Sequence, residues 1–461
     1  MRLPTGWGDP SSSATIEWPR AHGILKGRYR PLGDSRQLDG IFDLATKLGT
    51  ARVILEAPYV DHDYRSEYSQ HYARRFSPPS DRNERVVFLD GDDIAVGFTV
   101  IRPTAKPVGR TVMAVPEELD RFVSCRARQE FLAYGQRYAV EGFPFMSQDG
   151  EYGRCAHVAI WSVARLQHAK HATGRHSIAA IVAAAGTNQL PDRTATSSGL
   201  TVDQTRQALR LLGLPVLSYR PSRELRETSF TTVMCQYLDS GFPVLVNTPN
   251  HLTAIVGYAT GACGEVRWLR CDDNRGPYNL VKGYDEASAT DPELRDWQAA
   301  LVALPGRIHV PAESAHLAAR KEFAKQLGAK GGPSHLQKRW DDKKIVGRTY
   351  ATKPALLKTQ LAEREAVPAI ATWLMAIPTP AWAWVTEFRD VEQEPDTVLG
   401  TVLIDATGSK HAPEPVAADI DGWCVAYVAG EPERGMQLAP PPVRYPSLLP
   451  DRSWHEGSAS P

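Results

Sequence analysis

Apolar and polar positions along this chain follow two rhythms, and the rhythm changes several times. Arg85-Val-Val-Phe-Leu-Asp90, Ile94-Ala-Val-Gly-Phe-Thr-Val-Ile101 and Thr111-Val-Met-Ala-Val115 are short apolar runs of strand length. Asp90-Gly91-Asp92-Asp93 between the first two reads as a hairpin connection. Arg65 to Arg75, just before them, reads as a helix. From about Cys155 to His168 the period lengthens, so that Ala156, Ala159, Ile160 and Val163 fall on one buried helical stripe. Thr201 and Gln204 form a capping box, leading into Ala208–Leu212 and a stop at Gly213. A further short helix is predicted from Phe230 to Leu238. Strands follow at Pro243–Asn247, Leu252–Tyr258 and Val266–Cys271, the last two joined by the glycine-bearing loop Thr260–Gly264. Helices first and antiparallel strands afterwards is an α+β order.

Beyond residue 310 the pattern predicts a helix over Glu313–Leu327. Gly328 to Arg348 reads as an exposed loop. Its lysines and arginines at 338–348 read as a solvated face, because Asp341 and Asp342 interrupt them. Trp382–Arg389, Thr397–Ile404 and Gly422–Val428 read as strands, with Trp382 and Trp384 packing in a core or interface. The expected layout is a loosely structured arm (1–40), an N-terminal α+β module (41–140), a central domain (141–310), a C-terminal α+β module (311–437) and a proline-rich tail (438–461).

Composition narrows the function classes. A chain of 461 residues suggests about three domains. Hydrophobic residues at 42% are enough for a large core, and charged residues at 23% are ordinary. Basic and acidic side chains balance at 53 each, so no nucleic-acid partner and no anionic membrane surface is indicated. No apolar run reaches the roughly 20 residues a membrane span needs, and Ile178–Ala185 is too short. Met1–Pro10 lacks the apolar centre of a secretory signal. The expectation is a soluble, cytoplasmic protein. The six cysteines (125, 155, 235, 263, 271 and 424) are scattered and form no CxxC pair. That argues against a disulfide scaffold and a zinc ribbon. No cofactor or metal is expected, and His168, His171 and His176 read as a solvated helix end.

The candidate chemistry lies in the central domain. Cys155 closes the loop Gln148-Asp149-Gly150-Glu151-Tyr152-Gly153-Arg154 and opens the predicted helix. A helix N-terminus and a neighbouring imidazolium both favour a thiolate over a thiol. His251 opens a strand about a hundred residues later and is the candidate base. The base needs a partner on its other ring nitrogen. Asp272 ends the next strand and is the first choice, with Asp273 second and Asn274 a weaker third. Alternation along a strand lets only one of the two aspartates face the ring. A developing oxyanion needs donors, and the Cys155 backbone N–H and the Gln148 amide can supply them. His157 lies two residues past the thiol and reads as structural or exposed.

Gln148…Cys155-Ala156, then His251 leading a strand that ends Val256-Gly257-Tyr258, then Asp272, resembles a papain-like cysteine peptidase. The similarity is greatest to the bacterial branch that includes the double-glycine leader peptidases. It spans roughly residues 141–290. Arg154 and Ala156 flank the thiol where many members of that branch have an acidic residue before it or a glycine after it. The transporter segments that accompany leader peptidases are absent, so a stand-alone enzyme is expected. The resemblance implies Cys155 as nucleophile, His251 as general base, Asp272 as orienting residue and Gln148 as oxyanion donor. It implies a helical part packed on an antiparallel sheet. The expected reaction is hydrolysis of a peptide or isopeptide bond through a thioester. The same triad also serves amidases, deamidases and transglutaminase-like acyl transferases. In another class of reading, the domain is a catalytically silent binding module. Protein or peptide substrates are expected, and the flanking modules offer surfaces for a protein partner.

Overall fold

The computed structural model describes residues 15–29, 36–186, 199–221, 225, 228–249, 251–261, 265–281, 297–364, 367–392, 397–428, 431–438, 440 and 442–453. The fold is α+β, with helices and antiparallel sheets. The chain divides into two compact units. The first holds 1–221, 243–305 and 453–461, and the second holds 222–242 and 306–452. No helix among the described residues is long and apolar enough to cross a membrane.

The first unit starts with β1 (Thr15–Glu17), α1 (Arg20–Tyr29) and α2 (Arg36–Lys47), so the described part of the N-terminal region is not the loose arm expected. Its proline and glycine content hides an amphipathic stripe: Leu38, Ile41, Phe42 and Ala45 are all buried. Trp18 seals this corner, stacked on His22 and edge-on to Phe42 and Phe88. Strands β2 (Arg52–Tyr59), β3 (Asn83–Leu89), β4 (Ala95–Ile101) and β5 (Val108–Met113) join β1 in a five-stranded antiparallel sheet. The β3–β4 hairpin turns where expected. Asp90 Oδ1 accepts the N–H groups of Asp92 and Ile94, each at 2.9 Å. Helix α3 (His62–Gln70) is capped by Asp61, which accepts from the N–H groups of Asp63 and Tyr64.

A hairpin of β6 (Ala127–Ala133) and β7 (Gln136–Gly142) leads to α4 (Cys155–His171), followed by α5 (Ile178–Ala184) and α6 (Val202–Leu211). The Thr201–Gln204 capping box at the start of α6 is present. A second, six-stranded antiparallel sheet comes from β8 (Val216–Tyr219), β9 (Val244–Thr248), β10 (His251–Thr260), β11 (Val266–Asp272), β12 (Gly276–Val281) and β13 (Ala299–Ala303). Its order is β12-β11-β10-β9-β13-β8. At a bulge in β10 the segment before β6 crosses the strand, with the N–H groups of Ser124 and Cys125 on Val256 O. Gly257 permits the crossing, since a Cβ there would lie 2.0 Å from Phe122 O.

Helix α4 is buried on every side from Ala156 to Gln167, not along one stripe as expected. A helix with this burial is central to its unit. One side lies on the sheet, where Gln167 Nε2 donates to Ala303 O at 3.1 Å. The other meets α3, where Trp161 Nε1 and Arg165 Nη2 both donate to Asp63, at 3.2 and 3.0 Å. These polar contacts satisfy a carboxylate that is 1% exposed, and so let a charged face be buried.

In the second unit, helices Phe230–Asp239 and Ala312–Leu327 accompany a six-stranded antiparallel sheet. The region expected as an exposed loop contains a 3₁₀ turn (Ser334–Leu336), a helix (Gln337–Asp341) and the strand Ile345–Thr352. That strand pairs along its whole length with Ala383–Asp390. Three basic residues of this region are partnered: Arg339 with Asp390 and Glu392, Lys344 with Glu392, and Arg348 with Asp239. Trp384 is fully buried and donates to Val310 O at 2.9 Å. Within the expected tail, Tyr445–Pro446 pairs with Thr397–Val398.

Candidate active site

The loop before α4 is wound around one carboxylate. Asp149 Oδ1 accepts the backbone N–H groups of Glu151, Tyr152 and Gly153 at 2.9, 2.9 and 2.8 Å. Its Oδ2 accepts from the Tyr72 hydroxyl at 2.7 Å, and Asp149 is 2% exposed. Gly150 takes a φ of 85°, which a side chain would resist. The loop thereby delivers Cys155 as the first residue of α4. His157, fully buried, turns back so that its Nδ1 accepts the Arg154 N–H at 3.2 Å. Of the two readings expected for it, this is the structural one. The Cys155 N–H belongs to the first turn, where no carbonyl of the helix itself can reach.

The second sheet supplies the imidazole and the carboxylates. His251 heads β10, and the antiparallel register that sets Ala254 opposite Cys271 brings the end of β11 beside it. His251 Nε2 donates to Asp272 Oδ1 at 3.0 Å, and Asp273 Oδ1 lies 3.4 Å from the same nitrogen. Both aspartates therefore face the ring, contrary to the strict alternation expected. The β11–β12 register shifts between Arg270 and Asp272, and the chain turns at once, with Arg275 N–H on Asp272 O. A strand that bulges and ends there no longer sends neighbouring side chains to opposite faces. The side chain of Cys155 is the ring's other hydrogen-bond partner. With Nε2 occupied by the carboxylates, Nδ1 is the nitrogen left for the sulfur.

The charges differ along this row. Burial works against a charged His251. The hydrogen bonds to Asp272 and Cys155 and the charges of Asp273 and Asp272 outweigh it and push the ring up to about 10. Burial would also raise Asp272. The His251 hydrogen bond and charge, the Arg270 charge and the Asn274 N–H (2.9 Å) hold it below its ordinary value instead. For Asp273 burial wins, pushing it up to about 6 despite the nearby His251. Asp272 is thus the hydrogen-bonded partner of the ring, and Asp273 a second, poorly solvated carboxylate.

Gln148 is half-buried, and its Nε2 donates to Asn274 Oδ1 at 3.2 Å. The same oxygen accepts from Lys106 Nζ at 3.3 Å. Asn274, the third choice as a partner for His251, instead ties Gln148 to the turn that carries the aspartates. A side-chain amide has two N–H donors, so the second remains for another acceptor. A cavity of about 10 Å³ borders both Cys155 and Asp273, with room for a single water. Cys155 is half-buried, whereas Cys125, Cys271 and Cys424 are buried. Burial pushes Cys271 up to about 12, and burial with the Asp419 charge raises Cys424 as well. Cys263 lies outside the described residues.

No protein-family model and no curated protein matches this chain. Among solved structures, it is similar to the crystal structure of the peptidase domain of Streptococcus ComA, a bi-functional ABC transporter involved in a quorum-sensing pathway. The identity is 17%, over 33% of this chain and 90% of that one, with a TM-score of 0.23. A likeness this faint carries no weight for the chemistry, which rests on the geometry alone.

Two residues of the site escaped the sequence reading. Asp149 carried a signal, since Asp-Gly is a strong turn dipeptide and an aspartate there can bind the N–H groups that follow it. Tyr72 carried none. It comes from the 3₁₀ turn after α3, and only the packing of that turn on the loop brings its hydroxyl to Asp149.

Proposed function

We propose that this chain is a cysteine peptidase-like hydrolase that cleaves a peptide or isopeptide bond through a thioester on Cys155. The observation that carries the reading is the position of His251. Its ring lies between the Cys155 side chain, at a helix N-terminus, and the Asp272 carboxylate at 3.0 Å. An imidazolium beside a sulfur at such a terminus favours the thiolate, the nucleophilic form.

The steps follow from those groups. The thiolate forms a bond to the carbonyl carbon, and the carbonyl π pair moves onto oxygen. The Cys155 N–H and the free N–H of Gln148 are the donors assigned to that oxyanion. As the oxyanion collapses, the C–N bond breaks and the imidazolium gives its proton to the leaving nitrogen, leaving a thioester and neutral His251. The neutral ring then takes a proton from water, whose oxygen attacks the thioester carbon. Collapse of the second intermediate frees the acid and returns the thiolate–imidazolium pair. Asp272 keeps the ring oriented throughout.

The test is site-selective labelling by a thiol-directed electrophile, followed by turnover of peptide, ubiquitin-like and glutamine-amide substrates. Labelling of the wild type should vanish in Cys155→Ala and persist in Cys235→Ala. Labelling that is no faster at Cys155 than at an ordinary exposed thiol would leave the silent binding module as the better reading.

A further inference from the structure

We propose that His251, Asp272 and Asp273 also form a site for a zinc-class divalent cation, and that an ion held there ties up the ring that serves Cys155. The binding half stands on its own geometry. The inhibitory half rests on the role given to Cys155 above.

One donor atom from each of the three residues lies within 4.8 Å of the others. Zinc binds imidazole nitrogen and carboxylate oxygen at about 2.0–2.2 Å, so the edges of its tetrahedron are roughly 3.3–3.6 Å. Nε2 of His251 is 3.0 Å from Asp272 Oδ1 and 3.4 Å from Asp273 Oδ1. Two edges of such a tetrahedron are therefore nearly drawn before any ion arrives.

The second observation is Asp273 itself. It is 5% exposed, and beyond the 3.4 Å approach to His251 neither of its carboxylate oxygens has a hydrogen-bond partner among the described residues. Buried carboxylate oxygens ordinarily find donors. Here one of them points at a ring nitrogen that Asp272 already engages. Nothing in the peptidase cycle needs this second carboxylate, whereas a cation would satisfy it.

The donor set selects the ion. One imidazole and two carboxylates suit zinc and its neighbours, while calcium takes six to eight oxygens and magnesium a near-octahedral oxygen shell. Asp272 is already held by the Asn274 N–H, the outer support that oriented ligands require. A water can complete the shell as a fourth ligand. On binding, the ring releases its Nε2 proton to solvent and becomes a neutral ligand. Cys155 is not among the residues whose donor atoms cluster here, so it is not part of the set.

The test uses the chelator-stripped full chain, titrated with Co²⁺ by visible absorption and with Zn²⁺ by calorimetry. Wild type and Cys155→Ala should bind with equal affinity, and neither should show a thiolate-to-cobalt charge-transfer band. Asp273→Asn should bind at least about tenfold more weakly, and Asp272→Asn, the second variant should the first not fold, should weaken binding likewise. Zn²⁺ should slow labelling of Cys155 in the wild type and much less in Asp273→Asn. Unchanged affinity in both aspartate variants would overturn the site. So would binding that disappears in Cys155→Ala, because a Cys–His pair would then hold the ion. A metal-free wild type with an inert Cys155 would sink the peptidase reading while leaving the titration to decide this one.

Discussion

Replacing each aspartate beside His251 by asparagine separates their roles. At 3.0 and 3.4 Å from the same nitrogen, their bare Coulomb attractions differ by only about a tenth, so charge alone does not distinguish them. The difference is the hydrogen bond, which Asp272 makes and Asp273 does not. An asparagine oxygen can still accept from the ring, so Asp272→Asn loses the charge assistance, about half of the roughly 1.5–3 kcal/mol of such a bond, and about 1.4 kcal/mol corresponds to one pH unit. His251 titrates at about 10. Its alkaline limb should therefore move down by roughly half to one pH unit more in Asp272→Asn than in Asp273→Asn. The assay needs no substrate: the rate of alkylation of Cys155 by iodoacetate is followed against pH by mass spectrometry of its peptide. The anionic reagent is drawn by the imidazolium, so its rate falls as the ring deprotonates. A shift in Asp273→Asn as large as that in Asp272→Asn would refute the assignment of Asp272 as the orienting residue.

Asp273→Asn should also change stability with pH. The folded protein holds the Asp273 proton up to about 6, above the ordinary value of 3.8. Stability is therefore lost as pH rises from near 4 through 6, by up to about 3 kcal/mol. The asparagine variant escapes that loss, so its advantage in urea unfolding should be larger at pH 8 than at pH 4; an advantage that shrinks with rising pH would contradict the burial argument. Asp149→Ala strips three N–H groups and the Tyr72 hydroxyl of their acceptor. At about 1–3 kcal/mol for each buried group left unpaired, it should cost at least about 2 kcal/mol and slow labelling of Cys155, with Tyr72→Phe milder in both. Wild-type stability and labelling in Asp149→Ala would show that the loop does not depend on its carboxylate.

Much of the local structure was legible because its causes are local. Asp90 closes its own hairpin, Thr201 and Gln204 cap their own helix, and the loop-to-helix change at Cys155 follows from residues within one turn of it. The same holds for nominating Cys155, His251, Asp272, Asp273 and Gln148, since residue type and element boundary suffice for that. The N-terminal helices were hidden because proline, glycine and arginine between the apolar positions masked a stripe that only becomes a face when Trp18 and Phe88 lie against it.

What tertiary structure decided is who meets whom. The register shift at the end of β11 turns both aspartates to one ring, and no alternation rule foresees a bulge. Asn274 was the weaker third choice as the histidine's partner, and the fold places it against Gln148, 126 positions away. Helix α4 was read as one-sided from the spacing of Ala156, Ala159, Ile160 and Val163, a stripe that does not include its polar residues Arg165 and Gln167. They are buried because Asp63 and the Ala303 carbonyl reach them. Propensity, capping and turn chemistry act over a few residues and are written in order along the chain. Hydrogen-bond partners across sheets and between layers depend on register and packing, which the linear order of residues does not contain.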